Sequence, residues 1–244
     1  AYKNNSSIIY NHGFCCSTLL CRLLEESHKV LSLKEPPLIN TLKHHLQSND
    51  DSQLIDIIFS LHNRSYKDDQ RVLWKPSDYA FDLIDRSESL KIPSIYLFSP
   101  LREYIASCSK EKRTEWIKNR ADYNKIIKYF NLSESEVDIS NTAIQATLYW
   151  CYFAKKVNDL SFKNNILALN SNNLLNNPHI VDKVGAHLKL KKKFNIFKRT
   201  NIKKLLTTYS KTDDYKFNKD SRTKQLNKII NDNIKDIERA EKLA

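Results

Sequence analysis

Short apolar runs alternate with longer segments in which apolar residues recur at helical spacing, over most of the chain. β-Branched and aromatic residues dominate the short runs, which is typical of buried strands. The five predicted strands are residues 7–10, 30–33, 72–74, 92–98 and 166–169. The predicted helical segments are residues 19–24, 38–46, 54–62, 79–84, 101–130, 139–157, 179–188 and 223–237. Because strands alternate with helices, we predict a helix-rich, three-layer α/β/α fold with a mostly parallel sheet of four or five strands.

Charge and glycine content narrow the range of ligands. A formal net charge of +12, from 40 Lys+Arg against 28 Asp+Glu, favours anionic partners. Most of this excess lies in residues 189–244. We therefore predict an α/β nucleotide-binding domain over residues 1–190 and a basic C-terminal segment over residues 191–244 that packs on or covers the ligand-binding site of that domain. The chain has two glycines, which excludes the glycine-rich phosphate loops of dinucleotide-binding and GxxxxGK[ST] proteins.

Cysteine usage and hydropathy point to a cellular compartment. The five cysteines are odd in number, lie mostly in apolar segments and form no CxxC pair, so we expect a reducing cytoplasm and no metal site. Residues 1–7 are polar and lack the apolar core of a signal peptide. No apolar run approaches the roughly 18 residues that a membrane span needs, so we expect no transmembrane segment.

Polar and charged residues follow four of the predicted strands, where ligands of open parallel sheets bind. These segments are Gly13–Thr18, Lys34–Pro36, Lys75–Ser77 and Ser99–Arg102. In the first, backbone N–H groups and the hydroxyls of Ser17 and Thr18 precede a helix, an arrangement suited to a phosphate. The alternative is an ordinary capped turn between a strand and a helix.

The same segments resemble those of the sulfotransferase family. Residues 13–20 (Gly-Phe-Cys-Cys-Ser-Thr-Leu-Leu) resemble its 5′-phosphosulfate loop, P-[KR]-S-G-[ST]-T-x-L, and residues 30–36 resemble a second-strand segment that ends in Glu-Pro. Residues 99–107 resemble its 3′-phosphate segment, R-[DN]-P-R-[DE]-x-x-x-S. Residues 150–188 resemble its late strand, turn and final helix, so the motifs follow one another in the family's order over residues 7–190.

The resemblance implies a P-loop-like fold and a reaction. The expected co-substrate is 3′-phosphoadenosine-5′-phosphosulfate, whose sulfuryl group passes to a hydroxyl or amine without a metal ion. The residues implied for the 5′-phosphosulfate are Gly13, Phe14, Cys15, Cys16, Ser17 and Thr18. Those implied for the 3′-phosphate are Arg102 and Ser107, with Lys211 and Arg222 in a C-terminal segment that folds over it.

Three residues depart from the family pattern, and two of these departures remove a positive charge. Phe14 replaces the loop Lys or Arg, Cys16 replaces the loop glycine, and Ser99 replaces the first arginine of the 3′-phosphate segment. A loop cation would neutralise the bridging oxygen during transfer. At two strand ends, Lys34 and Lys75 are the candidates to supply this charge.

Two residues are candidates for the general base that deprotonates the acceptor. Glu35 follows the second strand, where a carboxylate beside the donor can take a proton. Its alternative role is an ion pair with Lys34 or an interaction with a helix terminus. His12 precedes the loop and is the rival base, with a structural, hydrogen-bonded histidine as its alternative.

Other functions stay open at this stage. A P-loop kinase or nucleotide hydrolase needs a lysine directly before the Ser-Thr pair, where this chain has Cys16. A non-catalytic nucleotide-binding protein is favoured by Phe14. The basic C-terminal segment carries no recognised RNA-reading motif, so nucleic acid is not the expected partner. The recurring cations after the fourth strand, among them Lys110 and Arg113, are predicted to form a solvated helix face.

Overall fold

The computed structural model describes residues 5–39, 52–62, 64, 67, 69–133, 135, 137–161, 165–193, 204–205, 207 and 219–244. Two compact units divide the chain. The first comprises Ala1–Phe98 and Leu160–Phe217, and the second comprises Ser99–Asp159 and Asn218–Ala244. The predicted division near residue 190 stays a prediction.

The first unit contains a five-stranded parallel sheet. Its strands are β1 (Ser6–Asn11), β2 (Val30–Lys34), β3 (Arg71–Lys75), β4 (Ser94–Phe98) and β5 (Ile166–Asn170). Their order across the sheet is β2-β3-β1-β4-β5, and the four neighbouring pairs are all parallel. All five predicted strands are confirmed, as is the parallel sheet.

The helices are numbered in chain order. The first unit has α1 (Ser17–Ser27), α2 (Ser52–His62), a 3₁₀ helix (Asp78–Leu83), α3 (Ile84–Ser89), α8 (Ser171–Asn176) and α9 (Ile180–His187). The second has α4 (Leu101–Cys108), α5 (Glu111–Lys118), α6 (Tyr123–Tyr129), nearly all of α7 (Thr142–Ser161), α10 (Lys219–Asp232) and α11 (Ile234–Glu241). Most of the predicted helix at residues 38–46 lies outside the described residues.

One predicted helical region proved to be three helices. Residues 101–130 contain α4, α5 and α6, each separated from the next by a short break. Asp122 begins α6, because its side chain accepts a hydrogen bond from the Lys125 N–H at 3.1 Å. Asparagine and aspartate favour such caps over helix interiors, since their short side chains bond to nearby backbone. The polar run at residues 109–115 interrupts the apolar period near the first break, so this boundary has a signal in the sequence.

Helices cover both faces of the sheet within the first unit. On one face, Ile9, Leu97 and Leu169 belong to a buried core that includes the apolar sides of α1 and α9. On the other face, the Phe59 ring of α2 lies 4.6 Å from the Trp74 ring, and the Tyr10 hydroxyl bonds to Ser87 of α3. Successive strand residues point to opposite faces, so both are apolar. The three-layer α/β/α prediction is confirmed.

A glycine and a buried histidine meet beside α1. A Cβ added to Gly185 of α9 would lie 2.2 Å from the His28 Nε2 atom. His28 is 1% exposed, and its Nδ1 atom lies 2.6 Å from the Ser27 hydroxyl. Glycine at position 185 therefore allows α9 to approach the end of α1 closely.

Two backbone hydrogen bonds close α9. The Leu190 N–H donates to the Gly185 carbonyl at 2.8 Å, and the Lys189 N–H donates to the Ala186 carbonyl at 3.0 Å. Lys189, which directly precedes Leu190, has a left-handed φ of 56°. This is a Schellman motif, in which glycine is the usual residue at the left-handed position.

Candidate functional site

The loop between β1 and α1 has an unusual backbone. Gly13, Phe14 and Cys16 have φ angles of 90°, 53° and 64°, all in the left-handed region. Turns of this kind direct successive N–H groups into one concavity that suits an anion. A left-handed conformation costs a non-glycine residue roughly 1–2 kcal/mol, and strain of this kind concentrates at functional sites.

Asn11 at the end of β1 supports this loop. Its side-chain oxygen accepts a hydrogen bond from the Gly13 N–H at 3.1 Å, and its amide nitrogen lies 3.4 Å from the Pro76 carbonyl. It therefore ties the loop to the segment that follows β3. Asn11 was not among the predicted site residues, although an asparagine two residues before a turn amide is a known turn former.

The loop leads into a helix end without a side-chain cap. Cys16 occupies the N-cap position of α1 and makes no side-chain capping hydrogen bond, and the first turn carries no acidic residue. The Leu20 N–H is the first to bond back, to the Cys16 carbonyl at 3.1 Å. N–H groups in the first turn have no acceptor within the helix. Those of Ser17, Thr18 and Leu19 therefore stand where an anion benefits from the helix dipole.

The two loop cysteines are placed differently. Cys15 is fully buried among the apolar residues of β1 and α1, whereas Cys16 is half-buried. Burial raises the pKa of the Cys15 thiol well above its usual range, and the N–H groups of Cys15 and Ser17 act weakly in the opposite direction. Cys15 is thus a neutral thiol packed in the core, and its contribution to the loop is its backbone.

A buried cation lies beside the loop. Lys75, the last residue of β3, is 3% exposed. Its charge opposes the burial that raises the pKa values of Cys15 and Cys21, so its ammonium group acts on the loop and on α1. Lysine is almost never this buried unless it is paired. Its partner is the Glu35 carboxylate.

Glu35 and Lys34 take separate partners. Glu35 has a left-handed φ of 51°, its N–H donates to the Lys75 carbonyl at 2.7 Å, and its side chain is half-exposed beside the Lys75 ammonium. Lys34 at the end of β2 instead donates to Glu25 of α1 at 2.8 Å. Of the two strand-end lysines, Lys75 therefore lies at the loop, and the ion pair of Glu35 is with Lys75 rather than Lys34.

His12 is a buried, neutral histidine. Its Nδ1 atom lies 3.0 Å from the Gly13 carbonyl, which can only accept a hydrogen bond, so Nδ1 carries the proton and Nε2 does not. Burial lowers the pKa of His12 to about 4, against the opposing effects of the Gly13 hydrogen bond and then of the Asp78 carboxylate. Its hydrogen bond holds the turn at Gly13, which is a structural role. Asp78, which the sequence analysis did not single out, begins the 3₁₀ helix.

The residues implied for the 3′-phosphate lie in the second unit, except Lys211, which lies outside the described residues. Arg102 lies in the first turn of α4, and its guanidinium donates to both carboxylate oxygens of Glu241, with the Nε to Oε1 distance at 2.9 Å. Ser107 is buried on α4. Arg222 of α10 lies 3.6 Å from the Glu103 carboxylate.

No group of three or more His, Cys, Asp or Glu side chains in the described part of the chain is arranged to hold a metal ion. None of the helices that the structure describes is long and apolar enough to span a membrane.

Comparisons with known proteins gave one kind of match. No protein-family model matches the chain. No curated protein matches it. Among solved structures, the chain is similar to a sulfotransferase domain from the curacin biosynthetic pathway. The two share 14% sequence identity at a TM-score of 0.47, and the match covers 86% of this chain and 78% of that one.

Proposed function

We propose that this chain is a sulfotransferase that binds 3′-phosphoadenosine-5′-phosphosulfate and transfers its sulfuryl group to a hydroxyl or amine. The observation that carries the proposal is the left-handed loop that opens the uncapped end of α1 beside the buried Lys75. The motif resemblance in residues 7–190 supports the choice of donor.

The loop would bind the 5′-phosphosulfate. Backbone N–H groups in Phe14–Thr18 and the hydroxyls of Ser17 and Thr18 would hold it, in positions that the folded loop already fixes. The Gly13 N–H is bonded to Asn11 and shapes the turn instead. The half-buried Phe14 supplies its backbone N–H and no charge. A cation must therefore come from elsewhere, and among the residues that the structure describes Lys75 lies beside the loop.

Lys75 and Glu35 would divide the chemistry between them. The acceptor oxygen or nitrogen forms a bond to sulfur while the bond from sulfur to the bridging oxygen breaks, and adenosine 3′,5′-bisphosphate leaves. Glu35 takes the acceptor proton. Protonation of Glu35 removes the negative charge that holds the Lys75 ammonium group. This ammonium group can then stabilise the negative charge that develops on the bridging oxygen.

His12 stays the rival base. Its Nε2 atom is unprotonated at neutral pH, and its low pKa makes it a weak proton acceptor in the buried position. The assignment of the 3′-phosphate to Arg102, Ser107, Lys211 and Arg222 also stays a prediction. For Arg102, a phosphate would have to replace the Glu241 carboxylate.

A second candidate function is nucleotide binding without catalysis. Phe14 favours it, because the family pattern has a cation at that position. A kinase or hydrolase of the P-loop kind is less well supported, since Cys16 stands where those enzymes have lysine.

A thermal-shift panel with matched lysine variants tests the proposal. Adenosine 3′,5′-bisphosphate at 100 times its dissociation constant should stabilise the protein by about 2.7 kcal/mol, and ATP with magnesium should not. Lys75→Met should weaken this binding at least tenfold, a loss of about 1.4 kcal/mol. Lys34→Met is the matched control, because Lys34 pairs with Lys75 in the sheet register and binds Glu25 instead.

The outcomes separate the candidates. No stabilisation by adenosine 3′,5′-bisphosphate contradicts the sulfotransferase proposal. Equal affinities for the Lys75→Met and Lys34→Met proteins contradict the role of Lys75. Binding of the donor without any release of its sulfuryl group to a panel of hydroxyl and amine acceptors supports the non-catalytic alternative.

A further inference from the structure

A carboxylate in the second unit binds the arginine that the family resemblance assigns to the 3′-phosphate. Glu241 ends α11, and Arg102 lies in the first turn of α4. The Arg102 Nε atom donates to the Glu241 Oε1 atom at 2.9 Å, and the Arg102 Nη2 atom donates to Oε2. The pair therefore uses two parallel N–H donors, the arrangement through which a guanidinium group also binds a phosphate.

Apolar packing holds α11 in the position from which Glu241 reaches Arg102. Ile237 of α11 is fully buried. It lies four residues before Glu241, and residues at this spacing share one side of a helix. The Asn141 side chain, which precedes α7, also donates to Asp236 of α11 at 3.3 Å. A packed helix therefore presents the Glu241 carboxylate.

The two charged groups stabilise each other and remain accessible. The Arg102 hydrogen bonds lower the pKa of Glu241, and the Glu241 hydrogen bonds raise the pKa of Arg102. The charge of Glu238, one turn earlier on α11, acts on Arg102 in the same direction. The Arg102 side chain is 44% exposed and the Glu241 side chain 28%, so an anion from the solvent can reach the guanidinium group.

We propose that Glu241 is an internal competitor of the nucleotide, whose carboxylate occupies Arg102 until a ligand phosphate displaces it. This regulation acts on the site of the proposed function and therefore rests on that function. A carboxylate and a phosphate offer the guanidinium group the same paired oxygen atoms, so one must leave before the other binds. The nucleotide affinity is thus lowered in proportion to the fraction of molecules in which Glu241 holds Arg102.

A purely structural ion pair is the alternative role of this contact. It would fasten α11 to α4, and breaking it would lower the ligand affinity or leave it unchanged. Competition predicts the opposite result, because removal of the carboxylate leaves Arg102 ready for the phosphate. The direction of the change in affinity therefore distinguishes the two roles.

NMR titration of the Glu241 carboxyl group in the unmodified protein provides the first test. With saturating adenosine 3′,5′-bisphosphate the pKa of Glu241 should rise, because the carboxylate loses the Arg102 hydrogen bonds and gains an anion nearby. A pKa of Glu241 that the bound ligand leaves unchanged overturns the proposal. This measurement needs no substitution and does not depend on how a variant folds.

Matched variants provide the second test, the affinity for adenosine 3′,5′-bisphosphate measured by isothermal titration calorimetry. Glu241→Gln should raise this affinity about fivefold, since a partly exposed ion pair no longer has to be broken. The control Glu238→Gln removes the same charge from the same helix and should change the affinity less than about twofold. Equal gains in the two variants would mean general electrostatics and would overturn the proposal, as would a lower affinity of Glu241→Gln.

A double-mutant cycle assigns the effect to Arg102 and separates this proposal from the proposed function. In an Arg102→Gln background the gain from Glu241→Gln should disappear, and a gain that persists there overturns the proposal. Adenosine 3′,5′-bisphosphate that binds to none of the variants contradicts the proposed function and the competition together. Binding that is equally tight in the unmodified and Glu241→Gln proteins overturns the competition alone.

Discussion

Gly185→Ala tests how closely α9 and α1 pack. The new Cβ would lie 2.2, 2.6 and 2.8 Å from three atoms of the His28 ring. Ordinary carbon contacts are about 3.5–4.0 Å, so the ring must move by more than about 1 Å. The ring has little room to move, because His28 is 1% exposed and its Nδ1 atom bonds to the Ser27 hydroxyl. The His28 backbone N–H also bonds to the Leu24 carbonyl at 2.8 Å.

The expected loss of stability follows from three contributions. Overpacking of a core costs about 1–3 kcal/mol. Displacing the ring from Ser27 removes a hydrogen bond worth about 1 kcal/mol. Alanine is favoured over glycine in a helix interior by about 1 kcal/mol, which offsets part of this loss. We expect Gly185→Ala to lower the free energy of unfolding by about 2 kcal/mol.

A double-mutant cycle measures the contact itself by urea unfolding. In a His28→Ala background the ring is gone, so Gly185→Ala should stabilise by about 1 kcal/mol, which corresponds to a coupling of about 3 kcal/mol. Ala186→Gly, at the exposed neighbouring position of α9, calibrates the helix propensity. The reasoning is refuted if Gly185→Ala destabilises equally with and without the His28 ring.

Two further predictions concern the loop and the end of α9. Because burial lowers the pKa of His12 to about 4 from 6.5, the unfolded chain binds the proton more tightly. The contribution of His12 to the free energy of unfolding should therefore be complete above pH 6.5 and should fall by about 3 kcal/mol as the pH drops to 4. It is measured as the difference in urea unfolding between the unmodified protein and His12→Asn. An identical pH profile for the two proteins would contradict the prediction. At the left-handed position of the Schellman motif, Lys189→Gly should raise the free energy of unfolding by about 1 kcal/mol, whereas Lys189→Ala should bring no gain. A gain from alanine equal to that from glycine would show that the backbone conformation is not the cause.

Much of the sheet could be predicted because its signals are local. Each strand is a short apolar run, and the polar residues that follow it mark the carboxyl end of the sheet. The loop at Gly13–Thr18 was predicted for the same reason, since a strand, a turn and a helix start follow one another within a few residues. The breaks between α4, α5 and α6 were missed, although the polar run at residues 109–115 marks the first of them. The start of α6 depends on a single cap, Asp122.

The backbone conformation of the loop could not be predicted from the sequence. Phe14 and Cys16 adopt left-handed angles that neither residue type favours. The buried strand β1 and the hydrogen bonds that join Asn11 and His12 to Gly13 hold the turn in this conformation. These contacts act against the local backbone preferences of Phe14 and Cys16. Tertiary packing overrides intrinsic preference at such positions.

The sequence by itself determined the α/β class, the position of the candidate loop and the two lysines that end β2 and β3. Which lysine lies beside the loop was decided by the tertiary structure alone. The strand order places β3 between β2 and β1, so Lys75 ends beside the loop that leaves β1 and is buried there. Lys34 ends the edge strand β2 and pairs with Glu25 of α1. Equivalent positions at two strand ends acquire different environments because strand order is a non-local property of the sheet.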